Sequence, residues 1–267
     1  MMHAVSQTAR WTAAARAKES AREDAIFVDP YAAELAGPEG HALFARYDNP
    51  GVGEFIAIRT RYLDDLLAQP HAQVVLLAAG MDTRTARLPW PSGAVVYEVD
   101  HPELLEYKAK LLASVRHRCD RRPVPADLLG DWLPTLALAG WDRAAPTLWI
   151  AEGLLFYLTE PDARTLLGTL AAHSAAASTL AGDLLSHQSM ISDFSQEGLR
   201  RLTEDGSPWR FGTDEPESFL ASCGWDTTEL LCPGEPGASY DRWPWNPPLP
   251  RDVPGFPRNY LFTATLS

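Results

Sequence analysis

The sequence is short of the residues that phosphate binding requires. Its most nucleotide-site-like stretch, QVVLLAAGMDTRTARLPW at 73–90, offers one glycine after an apolar run, Gly80, where a dinucleotide fingerprint has three. Such a fingerprint brings backbone N–H groups and a helix N-terminus to a pyrophosphate. Here an acid, Asp82, stands in the turn and opposes a phosphate. Cysteine is also scarce, with three in 267 residues (Cys119, Cys223, Cys232) and no CxxC pair. That pattern fits a reducing cytoplasm and argues against a zinc knuckle. Basic residues are outnumbered, 23 Lys and Arg against 35 Asp and Glu, and a net charge of −12 repels nucleic-acid backbones. No apolar run reaches the roughly 18 residues of a membrane span. The first twenty residues, MMHAVSQTARWTAAARAKES, lack the apolar centre of a signal peptide. The expectation is a soluble, cytoplasmic protein with neither a nucleic-acid nor a membrane partner, and the oligomeric state stays open.

What is present is an alternation of strands and helices. Hydrophobic content of 46% and charged content of 22% suit a globular core. Apolar runs predict strands at 73–79, 94–99, 146–152 and 178–185, with a weaker one ending near Asp127 and a last one in NYLFTATL. Helical spacing predicts helices over 6–24, 53–69, 101–116, 131–140 and 160–174, with a short one after FVDP. In 53–69 the apolar stripe is Phe55, Ile58, Tyr62, Leu63 and Leu66, and Arg59, Asp64 and Asp65 fall mostly off it. This order implies an α/β fold with a mostly parallel sheet covered on both faces. Three regions follow: a helical cap at 1–70, a Rossmann-like core at 71–186, and an acceptor-side insertion with the final strands at 187–267. The Pro-rich run 244–257 carries Trp243 and Trp245 at its border, an arrangement suited to covering a pocket.

Ligands of open α/β sheets bind at the carboxyl ends of the strands. Those ends carry Gly80, Asp100, Asp127 and Glu152, and Gly80 to Asp100 spans the 20 residues at which an acid reaches ribose hydroxyls. Acids without a phosphate cradle suit S-adenosylmethionine, which pairs an adenosine with a sulfonium and an ammonium. Simpler roles compete. Asp100 and Glu103 fit a capping box, Asp127 fits a turn cap, Asp82 fits a cap of the turn after it, and Arg59 fits a pair with Asp64 or Asp65. The histidines show no metal spacing, and His101 alone stands at a strand end.

VVLLAAGMDTR, YEVDHPELLEYK, PADLLGDW and AEGLLFYLTEPDA, in that order, resemble the successive motifs of the leucine carboxyl methyltransferase superfamily. The resemblance runs from about Arg16 to the closing PRNYLFTATL, and includes a branch of bacterial O-methyltransferases of natural-product pathways. It implies a class I methyltransferase sandwich with a seven-stranded sheet, an antiparallel last strand, extra N-terminal helices and a lid. It also implies roles. Gly80 lies under the methionine part, Asp100 takes the ribose, Asp127 and Leu128 flank the adenine, and Glu152 faces the ammonium. Arg59 holds the methionine carboxylate, and Lys18, with Arg16 as the alternative, comes in from the first helix. One departure stands out: family members usually have Gly where Ala78 stands, which implies altered strand–helix packing with a modest effect on affinity.

The sequence therefore points to methyl transfer from S-adenosylmethionine to a small-molecule or peptide acceptor, most simply a carboxylate, with Arg59 and Tyr157 near the transfer site. A phenol or alcohol acceptor is the alternative within this class. An NAD-dependent oxidoreductase shares the acid spacing but lacks the glycines, and a catalytically silent binding protein is the third class.

Overall fold

The computed structural model describes residues 4–47, 51–245, 247–251 and 253–266. Seven strands, β1 (Gln73–Leu77), β2 (Val95–Asp100), β3 (Asp120–Pro125), β4 (Thr147–Ala151), β5 (Thr179–Leu185), β6 (Trp225–Leu231) and β7 (Asn259–Leu266), form one sheet. Their order is β3-β2-β1-β4-β5-β7-β6. The pairs β1/β2, β1/β4, β2/β3 and β4/β5 are parallel, whereas β7 runs antiparallel to both β5 and β6. This is the class I methyltransferase sheet. Strand order turns between β1 and β4, so a crevice opens at the carboxyl ends there.

The central strands are apolar because both of their faces are covered. Side chains alternate between those faces. Val75, Leu77, Tyr97, Val99, Trp149, Leu180 and Leu184 face one core, with helices α6 (Leu133–Leu138), α7 (Glu160–His173) and α10 (Pro216–Ser222) packed near it. Val74, Leu76, Val96, Leu148, Ile150 and Ala181 face the other, which packs on Ile58, Tyr62, Leu63 and Leu67 of α3 (Val52–Leu67). A third cluster joins α1 (Ala4–Ser20) and α2 (Ala32–Tyr47) to Met81 and to Leu104 and Leu112, at the start and end of α5 (Pro102–Leu111). The N-terminal helices thus sit over the end of β1. The remaining short helices are α4 (Arg84–Arg87), α8 (Gln188–Ile191) and α9 (Asp193–Glu204). No helix among the described residues is long and apolar enough to cross a membrane.

Most differences from the sequence reading lie at element ends. The 101–116 helix stops at Leu111, and the helix after FVDP extends to Tyr47 through a break at Gly37, where φ is 56° ahead of Pro38. The stripe of α3 is misjudged in one respect: Arg59 and Asp64 are buried, because buried partners receive them. Positions 246 and 252 of the Pro-rich run lie outside the described residues.

The most informative difference is at β1, which ends at Leu77 instead of residue 79. Ala78 has φ 50° and Gly80 φ 51°, so the chain leaves the strand through two left-handed residues separated by Ala79. A Cβ in that region costs about 1–2 kcal/mol. The departure at Ala78 is therefore felt chiefly in the backbone. Ala78→Gly should relieve that strain while losing about 0.4–1 kcal/mol to unfolded-state entropy. The expected net gain is roughly 0.5–1 kcal/mol in urea unfolding, and a loss of stability would show that the turn is not strained.

Candidate functional site

The carboxyl ends of β1 to β5 open into a cavity of about 1150 Å³, closed from above by α1, the start of α3, α9 and the loops before β7. That exceeds the roughly 300–1,000 Å³ of a single small-molecule site, which leaves room for two ligands. Gly80, Asp100, Asp127, Leu128, Glu152, Arg59 and Tyr157 all line it. The structure brings seven of the eight expected residues together.

Asp100 ends β2 and is buried. Its Oδ2 accepts the Gly80 N–H at 2.7 Å and its Oδ1 accepts the His101 N–H at 2.7 Å. Two of about four lone-pair sites on the carboxylate are thereby used, and two stay available to hydroxyl donors. No capping box forms with Glu103, since His101 occupies the N-cap position of α5 and has no side-chain bond into it. Burial pushes the Asp100 carboxyl above its ordinary value, against the pull of the two N–H groups. A Cβ at Gly80 would lie 3.2 Å from Ala9 Cβ, so the tight approach at this turn is to α1. Asp127 does act as a turn cap, accepting the Leu129 N–H at 2.9 Å, and it lines the cavity as well.

Glu152, just past β4, is held between two guanidinium groups. Arg59 Nε donates to Oε1 at 3.0 Å and Arg84 Nη1 to Oε2 at 2.5 Å. Burial raises the Glu152 carboxyl, but Arg84 and Arg59 outweigh it and hold the group below the usual range. Arg59 Nη1 also donates to Asp183 Oδ2 at 2.8 Å, and its partners are neither Asp64 nor Asp65. Its Nη2 has no partner among the described residues. Arg84 donates further to Asp64 at 2.7 Å and to Asp82 at 2.5 Å, and Arg87 closes the network onto both oxygens of Asp64. Formally, three guanidiniums face four carboxylates, which leaves one negative charge in excess. A monocation suits such a site.

Lys18, expected to come in from the first helix, lies elsewhere. It is exposed, its ammonium stands 5.1 Å from the centre of the Phe44 ring, and it does not line the cavity. Arg16, two residues earlier, does line it, and donates to Asp29 at 2.9 Å and to the Met81 carbonyl at 2.6 Å. Two positions on a helix differ by about 200°, enough to exchange the inner and outer faces. Tyr157 sits at the end of a 3₁₀ turn, Leu155–Tyr157, and burial raises its phenol above the ordinary value.

Sequence reading missed Arg84 and Asp183. Asp183 accepts the Gly153 N–H at 2.6 Å in addition to Arg59, and so fixes the loop that carries Glu152. The available signal was an acid inside the apolar strand TLAGDLL, costly to bury without a cation. Glu98 was missed on the same terms: wholly buried, it accepts Lys108 at 2.9 Å and Arg121 at 2.7 Å, which ties α5 to β2 and β3. Asp82 receives the Arg84 N–H at 2.6 Å and serves as the cap the sequence suggested.

The acid cluster generates a pH prediction. Burial opposes ionisation of Asp82, yet Arg84 holds its carboxyl at about 2. A folded value below the unfolded one, about 3.9, means that the ionised group stabilises the fold above about pH 4. That contribution is lost as pH falls toward about 2. Asp82→Asn should lower stability at neutral pH and flatten its decline between about pH 4 and 2. Urea unfolding across that window checks this, and a slope equal to that of the unaltered protein would contradict it.

Known proteins share this architecture and sequence. Residues 9–171 match the model of the leucine carboxyl methyltransferase family. A Streptomyces avermitilis protein assigned as an S-adenosyl-L-methionine-dependent methyltransferase is 39% identical over 266 residues, covering 93% of this chain and 92% of its own. A Streptomyces coelicolor protein of the same description is 40% identical over 239 residues, covering 83% of each chain. Among solved structures, one from Thermobifida fusca described as a methyltransferase superposes with a TM-score of 0.64 at 18% identity. It spans 97% of this chain and 94% of its own, and shows the fold. By the match over most of its strand-and-helix core and by these relatives, the chain belongs to the leucine carboxyl methyltransferase family.

Proposed function

We propose that this S-adenosylmethionine-dependent methyltransferase transfers the methyl group to a carboxylate of a small natural product or a peptide, giving a methyl ester. The observation that carries the reading is the distribution of charge along the cavity. Its carboxylates among the described residues, Asp82, Asp100, Asp127 and Glu152, all lie at the ends of β1 to β4. Among the described residues, the lobe beside β5, α9 and the loops before β7 presents none. A cationic ligand is favoured on one side, and an anionic acceptor meets no like charge on the other.

The donors at the strand ends fit the cofactor. Asp100 retains acceptor capacity for two ribose hydroxyls, and Asp127 with Leu128 would flank the adenine. Glu152 faces the cavity with a second lone pair on each oxygen, and would receive the ammonium. The unpartnered Nη2 of Arg59 would take the methionine carboxylate. Bound there, the cofactor supplies a methyl group made electrophilic by its sulfonium. Arg59 and Tyr157 would border the transfer position, and the phenol of Tyr157, raised by burial, stays neutral at physiological pH and would be available as a hydrogen-bond donor to the acceptor. A carboxylate with a pKa near ~4 is already ionised and needs no base. Acceleration then comes from alignment and exclusion of water.

Acceptor type is decided by pH. A phenol with a pKa near ~10 needs a positioned base at neutral pH. With a carboxylate acceptor, the single-turnover methylation rate should be nearly constant from about pH 6 to 9. His101→Gln should lower it only modestly, since His101 is exposed at the start of α5. A rate that climbs tenfold per pH unit, or collapses without His101, would favour a phenol or alcohol acceptor.

A further inference from the structure

The cavity mouth is apolar in a way that solvent alone does not explain. Eight large hydrophobic residues are exposed among the described residues, and five of them line this cavity. Four of those five, Phe194 (86% exposed), Trp245 (50%), Phe256 (44%) and Leu249 (40%), surround the lobe to which no described residue brings a carboxylate. Exposed apolar surface gathered at one opening marks a binding surface. Deeper in the lobe, Phe156 and Trp209 pack at 5.2 Å, and Trp243 stands against Trp245 at 4.9 Å.

Two cations lie on the same walls, and they differ. Arg258 is buried and spends its guanidinium on the carbonyls of Leu249, Pro250 and Val253, at 3.1, 2.6 and 2.8 Å, so it fastens the Pro-rich loop. Arg210 is placed by its own N–H, which donates to the Phe156 carbonyl at 2.7 Å. The Arg210 guanidinium has neither a hydrogen bond nor an ion pair among the described residues. Arg210 is exposed, so its guanidinium stands at the solvent-facing rim of the apolar lobe, where no carboxylate of the described residues is paired to it. A guanidinium binds carboxylates through two parallel hydrogen bonds.

We infer that the acceptor is a bulky apolar or aromatic acid, its body seated among Phe194, Trp209, Trp243 and Trp245 and its anionic group received by Arg210. The inference rests on the carboxylate reading above and narrows it. An extended peptide is disfavoured, because its backbone amides would lose water against these walls without partners.

The test uses the full chain saturated with S-adenosylhomocysteine, titrated by calorimetry with 2-naphthoate, its neutral analogue 2-naphthamide, and acetyl-trialanine. The acid should bind at least tenfold more tightly than either of the others. Arg210→Gln should erase the preference for acid over amide, Arg210→Lys should restore part of it, and Phe194→Ser should weaken both naphthyl probes. Unchanged affinity for S-adenosylhomocysteine in each variant shows that the fold is intact. Absence of acid binding, equal binding of acid and amide, tighter binding of the peptide, or a preference that survives Arg210→Gln would each overturn the inference. Arg210-dependent acid binding together with methyl transfer to phenols alone would instead overturn the carboxylate reading and leave the anion site standing.

Discussion

An acid at the end of a buried strand must find a cation, and much of this molecule is arranged around that need. Glu152 emerges from β4 at the cavity wall and is held by Arg59 of α3 on one oxygen and by Arg84 of α4 on the other. Arg59 reaches on to Asp183 in β5, and Arg84 to Asp64 in α3. One network thus pins β4, β5, α3 and the turn after β1 to each other. Removing one member of such a set strands a buried charge, at a cost of about 3–5 kcal/mol. The same pinning sets the crevice width, and with it the place where a ligand meets Gly80 and Asp100.

How much of this could be read from sequence depended on whether a residue's reason was local. Gly80, Asp100 and Glu152 could be found because strand ends show in apolar periodicity and because the 20-residue interval has a physical meaning. The antiparallel final strand came with the family resemblance. Arg84 was hidden because two of its three carboxylate partners lie 20 and 68 residues away, and nothing in TRTAR separates it from a solvated helix arginine. Asp183 was legible in principle, as an acid in a strand otherwise apolar. Lys18 and Arg16 show the limit of motif alignment on a helix, where a shift of two positions turns a cavity residue into a surface one. Ala78 shows another limit. The sequence showed the departure from glycine, but only the backbone showed that this alanine occupies a left-handed conformation.

The cavity also gives the acidic composition a local meaning. Excess negative charge is concentrated where a cationic nucleoside is expected, at the ends of β1 to β4, while the opposite lobe is aromatic and carries arginines. On the proposed reading, a cationic cofactor and an anionic acceptor would each be drawn to its own side, which would order them before any chemistry. The N-terminal helices and the Trp- and Pro-rich segment close over both, which limits water at the point of contact.

In the proposed complex these strand ends would form a nucleoside site in which Asp100 reads the ribose. The direct measurement is a calorimetric cycle pairing S-adenosylhomocysteine and its 2′-deoxy analogue with the unaltered protein and with Asp100→Ala. The unaltered protein should lose about 1.5–3 kcal/mol of binding on removal of the hydroxyl. Asp100→Ala should bind the two ligands almost equally. An equal penalty in both proteins would contradict that role, and would leave Asp100 as a brace for the Gly80 turn alone.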